Sequence, residues 1–406
     1  MVAPIVVVGA GEAGGQAGII LRQSGYADPI VLIGEEPYAP YERPPLSKSF
    51  LAGESPLEKM YLRSPDFYAS QSIDLKLNTR VDAVDRASRT VSLSNGERIE
   101  YRKLVLATGG RVRRLACPGA ELAGIHYLRT IDDVLAYRDR LTAGARIVIV
   151  GGGYIGLEVA AVAVKRGCLV TVLEALPLVL NRVVAPEVSR FYMDVHRAAG
   201  VTIETSTAVT AFDGASVVQA VRCGETSFPA DLVIVGIGIV PNVELAAAAG
   251  LAVDNGIVVD AFMRTSDPSI YAVGDCSNHP SVSAGRRLRL ESVHNALAQG
   301  KTAALDIFGK PEPYDEVPWF WSDQFDLKLQ MTGISAPDDR VVIRGSMAER
   351  KFSACYLRDG RFVACNAVNM AKDFIQSKKL IAAKVVIDPD RLADASVALK
   401  DLMPAQ

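Results

Sequence analysis

Two apolar runs of matching grammar punctuate the chain. Ile5-Val6-Val7-Val8 and Ile147-Val148-Ile149-Val150 are unbroken β-branched stretches, the pattern of strands buried on both faces of a parallel sheet. Each runs into a glycine-rich turn and then an apolar, Ala/Gly-rich stretch, which predicts helices over residues 12 to 23 and 154 to 166. The turns are Gly9-Ala10-Gly11-Glu12-Ala13-Gly14 and Gly151-Gly152-Gly153-Tyr154-Ile155-Gly156. Strand, glycine turn and helix in this order form the dinucleotide fingerprint. The first glycine makes the tight turn, the second lets backbone approach a pyrophosphate, and the third packs helix on strand. The phosphates then rest on unpaired N–H groups at the helix N-terminus.

An acidic residue is expected at the end of the next strand, where it accepts ribose hydroxyls. Glu35 follows Pro29-Ile30-Val31-Leu32-Ile33-Gly34, and Glu174 follows Leu169-Val170-Thr171-Val172-Leu173. No Arg stands beside Glu174 to welcome a 2′-phosphate, which favours NADH over NADPH at the second site. Glu12 lies within the first phosphate loop, so its carboxylate is expected to point away.

The interval 36–146 is too long for one crossover. It holds the Pro-rich loop Pro40-Tyr41-Glu42-Arg43-Pro44-Pro45-Leu46-Ser47-Lys48, a hairpin signal at Thr90-Val91-Ser92-Leu93 with Asn95-Gly96, and the buried run Leu104-Val105-Leu106 ending in Ala107-Thr108-Gly109-Gly110. The second copy repeats the plan, with a hairpin-like region near 215–229 and then Leu232 to Val235 ending in Gly236-Ile237-Gly238. After Pro318-Trp319-Phe320-Trp321 the pattern becomes alternating, as in an antiparallel sheet. The expected fold is α/β, with two nested Rossmann-like dinucleotide-binding domains and a C-terminal α+β domain. Their predicted boundaries are 1–110 with 237–315, 111–236, and 316–406.

Composition excludes more than it assigns. The 406 residues carry a net charge of −2, which gives no general reason to expect nucleic acid or an anionic membrane as partner. The most apolar stretch, Ile147 to Val164, is interrupted by glycines and Glu158 and makes a poor membrane span. The strand reached at once from the N-terminus leaves no room for a signal peptide, so a cytoplasmic protein is expected. Six cysteines at 117, 168, 223, 276, 355 and 365 include no C-x-x-C and no zinc spacing, so no metal site is expected. They read as buried small apolar residues or incidental surface thiols.

Taken together, the segments resemble the two-dinucleotide flavoprotein reductases of the glutathione-reductase class. The resemblance is closer to the NADH-dependent ferredoxin reductases of bacterial haem monooxygenases and ring-hydroxylating dioxygenases. It spans nearly the whole chain and rests on both fingerprints, Arg43-Pro44-Pro45-Leu46-Ser47-Lys48, Ala107-Thr108-Gly109-Gly110, Val273-Gly274-Asp275-Cys276, Glu291-Ser292-Val293 and Trp319-Phe320-Trp321-Ser322-Asp323. The resemblance implies FAD on the first site, through Gly9, Gly11, Ala13, Gly14, Glu35, Arg43, Lys48, Val81, Ala107, Thr108, Gly109, Arg129, Asp275 and Val293. It implies NADH on the second, through Gly151, Gly153, Tyr154, Ile155, Gly156, Glu174, Gly236 and Gly238. Arg129 has a rival reading as a surface cation, and Val81 and Val293 as core.

The same resemblance brings Lys48 and Glu158 together by the flavin's reactive edge, where a lysine held protonated by a carboxylate stabilises arriving negative charge. The rival is two exposed charges. Tyr154 is expected as a lid over the flavin face, against an ordinary helix-start aromatic. Trp321 is expected near the electron exit, against a core aromatic. His294 stands where relatives differ, and Gly18 where Ala is common.

The implied reaction is hydride transfer from NADH to FAD, followed by single-electron transfer to an acidic [2Fe–2S] ferredoxin feeding a cytochrome monooxygenase or a ring-hydroxylating dioxygenase. No Cys precedes Cys117, so there is no dithiol beside the flavin and the electrons leave to an external acceptor. Arg63, Arg286, Arg287, Arg289, Lys301, Lys378 and Lys379 are candidate docking cations for it, on a protein expected to be a monomer. Reductases of rubredoxin, quinone or monodehydroascorbate, and a signalling flavoprotein resembling apoptosis-inducing factor, are the alternatives.

Overall fold

The computed structural model describes residues 2–403 and resolves into two compact units. The first comprises residues 2–42, 57–111 and 240–320, and the second residues 43–56, 112–239 and 321–403. Residues 43–56, read from sequence as part of the first domain, therefore group with the second unit. Within that unit Arg166 donates to the Leu51 carbonyl, Lys48 pairs with Glu158 and Arg43 donates to the Arg129 carbonyl.

The first unit is built on a parallel sheet in the order Ile73–Lys76, Ile30–Ile33, Ile5–Val8, Lys103–Leu106, Ile270–Ala272. Ile5–Val8 is central and buried on both faces, which is why it reads as an unbroken apolar run. Helix Glu12–Gln23 follows it and is crossed closely by helix Val293–Phe308. The crossing needs Gly300, since a Cβ there would lie 2.6 Å from the Ala13 carbonyl oxygen. Val81–Asp85, Thr90–Leu93 and Arg98–Glu100 form an antiparallel meander, with Gly96 at φ +86° turning the last hairpin.

Gly18 has space to spare. A methyl group there would meet Ile73 Cδ1 at 3.8 Å, an ordinary contact. Gly18→Ala is therefore expected to stabilise the protein by about 0.5–1 kcal/mol through helix propensity, read as a higher urea-unfolding midpoint at fixed FAD. An unchanged or lower midpoint contradicts this.

The second unit repeats the plan with parallel strands in the order Thr202–Glu204, Leu169–Leu173, Arg146–Val150, Leu232–Val235, Ile125–Tyr127. The predicted hairpin is present as Val218–Cys223 and Thr226–Pro229, with Ala211–Gly214 as a third strand. Helix Pro186–Ala198, which the sequence reading did not assign, packs on this sheet's edge strand. The C-terminal sheet runs Trp319–Gln324, Leu327–Gly333, Arg361–Val368, Lys351–Arg358, Arg340–Ser346, and its last three pairings are antiparallel. Helix Ala371–Ala382 packs on it.

Among the described residues no helix is long and apolar enough to cross a membrane, and no cluster of His, Cys, Asp and Glu is arranged to hold a metal. Cys168, Cys276, Cys355 and Cys365 are buried, and Cys117 and Cys223 are partly so.

Candidate functional site

The first glycine turn is a cradle with one open side. Gly9 adopts φ +111°, and a Cβ there would sit 2.1 Å from the Ala107 carbonyl oxygen. A Cβ on Gly14 would strike the Gly9 carbonyl oxygen at 2.0 Å, whereas one on Gly11 would meet nothing within 4 Å. Turn, close packing and open approach thus fall on the first, third and second glycine as the chemistry requires. Gly11 caps helix Glu12–Gln23 with no side-chain hydrogen bond, leaving the first-turn N–H groups for an anion.

The flanks of the cradle are pinned within the same unit. Thr108 Oγ1 donates to the Asn242 carbonyl at 2.6 Å, and Asn242 Nδ2 returns a bond to the Thr108 carbonyl at 2.9 Å. Asn242 carries no sequence motif, so this clamp was not foreseen. Asp275 lies in the single 3-10 turn Gly274–Cys276 at the end of strand Ile270–Ala272. Gln299 fixes that turn by accepting from Gly274 N and Ser277 Oγ, both at 2.7 Å. Glu35 is exposed just past strand Ile30–Ile33, and Val81, at the start of its strand, is buried. Val293 begins its helix, and His294 beside it packs on Trp319 with ring centroids 5.2 Å apart.

The second cradle has the same geometry. Gly151 is at φ +107°, a Cβ on it would meet the Gly236 carbonyl oxygen at 2.4 Å, and one on Gly156 would meet the Gly151 carbonyl oxygen at 2.1 Å. A Cβ on Gly153 or Gly238 would meet nothing within 4 Å. Glu174 is already oriented, since its carboxylate accepts the N–H of Gly152 at 2.7 Å and of Leu176 at 2.8 Å. Ile155, in the first turn of helix Tyr154–Lys165, is 43 % exposed, a large apolar side chain presented to solvent beside an open loop.

Lys48 and Glu158 do meet. Glu158 Oε2 accepts Lys48 Nζ at 2.7 Å and Ser47 Oγ at 2.5 Å, and its Oε1 accepts Ser322 Oγ at 2.6 Å. The glutamate side chain is 3 % exposed and the lysine 21 %, so the exposed-pair reading fails for Glu158. These donors compensate the burial of the carboxylate. Ser47 and Ser322 were missed as its partners, although both lie inside motifs the sequence displays.

Tyr154 starts its helix and donates its phenol to Met331 Sδ at 2.9 Å. Burial, with smaller contributions from Tyr356, Tyr192 and Glu158, pushes that phenol well above its ordinary range, so it acts as a neutral donor. Arg43 Nη1 donates to the Arg129 carbonyl, which joins two of the expected cofactor residues, and Arg129 N is held by Asp133 at 2.9 Å. Trp321 is half-buried in strand Trp319–Gln324.

The candidate docking cations divide. Arg63, Arg286, Lys301 and Lys379 are exposed, and Lys378 Nζ lies over the Phe374 ring at 4.5 Å. Arg289 departs from the surface reading, because its side chain is 12 % exposed and pairs with Glu291 at 2.8 Å while donating to the Asp275 carbonyl. Arg287 is exposed but gives its guanidinium to the Val259 and Asn278 carbonyls. Arg289 braces the turn that carries Asp275.

Comparison with known proteins fits this double cradle. The pyridine nucleotide-disulphide oxidoreductase model matches residues 3–300, and a reductase C-terminal model matches residues 319–403. The chain belongs to the pyridine nucleotide-disulphide oxidoreductase family. Within it the chain is 46 % identical to putidaredoxin reductase CamA of Pseudomonas putida, over 99 % of this chain and 97 % of that one. It is 41 % identical to a rubredoxin-NAD(+) reductase of Pseudomonas putida, over 91 % and 96 % of the two chains. The covalent putidaredoxin reductase–putidaredoxin complex superposes with a TM-score of 0.96 at 46 % identity, over 98 % of each chain. Members of this family bind FAD and NAD(P)H, and both glycine cradles offer the open backbone that such dinucleotides need. The disulphide of the family name has no counterpart ahead of Cys117.

Proposed function

We propose that this chain is an NADH-dependent, FAD-containing ferredoxin reductase whose partner is an acidic [2Fe–2S] ferredoxin serving an oxygenase. The observation that carries the reading is the duplicated glycine cradle, each with its own carboxylate, in a chain lacking any cysteine before Cys117. Bound FAD supplies the conversion of a hydride from NADH into single electrons. The chain's residues hold and orient. Gly9, Gly11 and Gly14 with Ala13, Glu35, Arg43, Val81, Ala107, Thr108, Gly109, Arg129, Asp275 and Val293 hold FAD. Gly151, Gly153, Ile155, Gly156, Glu174, Gly236 and Gly238 hold NADH. Lys48 Nζ, held by Glu158 at 2.7 Å, offers a fixed positive charge to the flavin. Tyr154 serves as a lid and Trp321 lies toward the electron exit.

The division into residues 1–110 with 237–315, 111–236 and 316–406 follows FAD binding, NADH binding and a C-terminal α+β domain. A monomeric cytoplasmic enzyme completes the reading. Rubredoxin as acceptor is the second reading, favoured by the 41 % identity to the rubredoxin-NAD(+) reductase.

The test mixes purified holoenzyme with NADH and a panel of ferredoxins and rubredoxins, with a haem protein as reporter. Rapid reduction of a [2Fe–2S] ferredoxin supports the reading. Turnover with rubredoxin alone, or with none, overturns it. If exposed Arg63, Arg286 and Lys301 steer docking, ferredoxin turnover falls about tenfold between low and near-molar salt while NADH-to-ferricyanide turnover holds. Equal salt dependence of both removes the patch.

A further inference from the structure

The carboxylate that holds Lys48 is itself held from behind. Ser322 and Gln324 lie two apart on strand Trp319–Gln324 and so share one face, while Trp321 and Asp323 take the other. Both are buried, and so is His196 of helix Pro186–Ala198. Ser322 has one hydroxyl proton and gives it to Glu158 Oε1 at 2.6 Å. Its oxygen can then only accept, and it accepts from Gln324 Nε2 at 3.0 Å. The Gln324 amide thereby turns its oxygen toward His196, whose Nε2 lies 2.9 Å away and must donate.

We propose that His196, Gln324 and Ser322 form a one-way hydrogen-bond relay that positions Glu158 against Lys48, and that His196 sets its direction. The inference rests on the assignment of Lys48 and Glu158 to the flavin. Each donor in the chain points at the carboxylate, from His196 Nε2–H to the Gln324 amide to the Ser322 hydroxyl. Were Gln324 to turn over, its oxygen would compete with Glu158 for the single Ser322 proton. The His196 N–H opposes that turn, because a flipped amide would face it with another donor.

Ser322 anchors Glu158 Oε1, whereas Oε2 serves Ser47 and Lys48. Loss of the relay therefore frees the carboxylate to rotate away from Lys48 Nζ. The His196 ring is set edge-on to Phe325 at 4.8 Å, and burial lowers its pKa, so the imidazole enters the chain neutral. Lys48 lies at the head of the relay, and Lys165 Nζ lies 5.8 Å from the Phe325 ring centroid. His196, Gln324 and Ser322 are positioning residues.

The test uses holoenzyme and two readouts. Infrared difference spectra on glutamate-labelled protein, referenced to Glu158→Gln, report the Glu158 carboxylate stretch. Stopped-flow reduction by NADH separates the limiting rate from the NADH dissociation constant. His196→Leu is expected to move the Glu158 band and slow the limiting rate about tenfold, the loss expected of one hydrogen bond to a charged group, while leaving the dissociation constant within about twofold. Ser322→Ala is expected to move the band equally, and His196→Leu/Ser322→Ala no further than either alone. His196→Gln keeps a donor in place and is expected to restore band and rate. If His196→Leu fails to fold, Gln324→Met carries the same expectation.

A His196→Leu band identical to wild type overturns the relay. So does a His196→Gln variant that behaves like His196→Leu. The parent reading fails separately, if Lys48→Ala and Glu158→Ala leave flavin reduction unchanged while the infrared band still follows His196.

Discussion

Lys48→Ala and Glu158→Ala are each expected to slow reduction of the bound flavin by NADH about 10²-fold in stopped-flow measurements, with the NADH dissociation constant little changed. The magnitude is that of removing one preorganised electrostatic partner from a site sheltered from water. The two variants reach it by different routes. Alanine at 48 removes the charge itself and leaves Glu158 buried with only the Ser47 and Ser322 hydroxyls to compensate it. Alanine at 158 leaves the ammonium in place with its closest carbonyl partner, Pro44 O at 3.3 Å, and frees it to turn toward solvent. Because both act on one pair, Lys48→Ala/Glu158→Ala should be little slower than either single variant. Unchanged rates in both single variants, at full FAD content, would remove the pair from the mechanism.

The parts of this molecule legible in its sequence are those where one local rule governs. Ile5–Val8 and Ile147–Val150 are buried on both faces, so their apolar runs are continuous and their glycine turns stand out. Asn95-Gly96 announces its hairpin because the turn needs positive φ. Glu174 was placed by its position at the end of the strand after the fingerprint, and its carboxylate accepts the N–H of Gly152 in the glycine loop.

What escaped the reading depends on elements distant in sequence. Ser47 and Ser322 lie 111 and 164 positions from Glu158, and a serine inside a motif does not announce which carboxylate it will serve. His196 sits on a helix with an amphipathic pattern, where a polar residue on the buried face looks like an exception rather than a donor. Arg289 was read as a surface cation because a basic run usually is one. The structure instead aims it at the Asp275 carbonyl, a use of arginine that no periodicity encodes.

Arg344→Leu is expected to lower stability by about 3–5 kcal/mol, the cost of leaving a buried acid without its partner. Arg344 and Asp373 have side-chain exposures of 2 % and 7 %, and their Nε and Oδ2 atoms are 3.1 Å apart. Ser353 Oγ adds a bond to the same Oδ2 at 2.9 Å. The rest of the guanidinium fork faces backbone, donating to the carbonyls of Leu392, Asp394, Ala395 and Val397. One side chain thus ties the C-terminal segment to strand Arg340–Ser346, and its loss should show twice. The urea midpoint should fall, and limited proteolysis should begin within 392–397 before it touches the Rossmann sheets. Arg344→Lys retains charge without the planar fork and should recover only part of the loss. Arg344→Leu/Asp373→Leu should be more stable than Arg344→Leu alone, because it removes the stranded carboxylate. If the single variant matches wild type in both assays, the segment is held by the packing of Leu392, Leu399 and Leu402 instead.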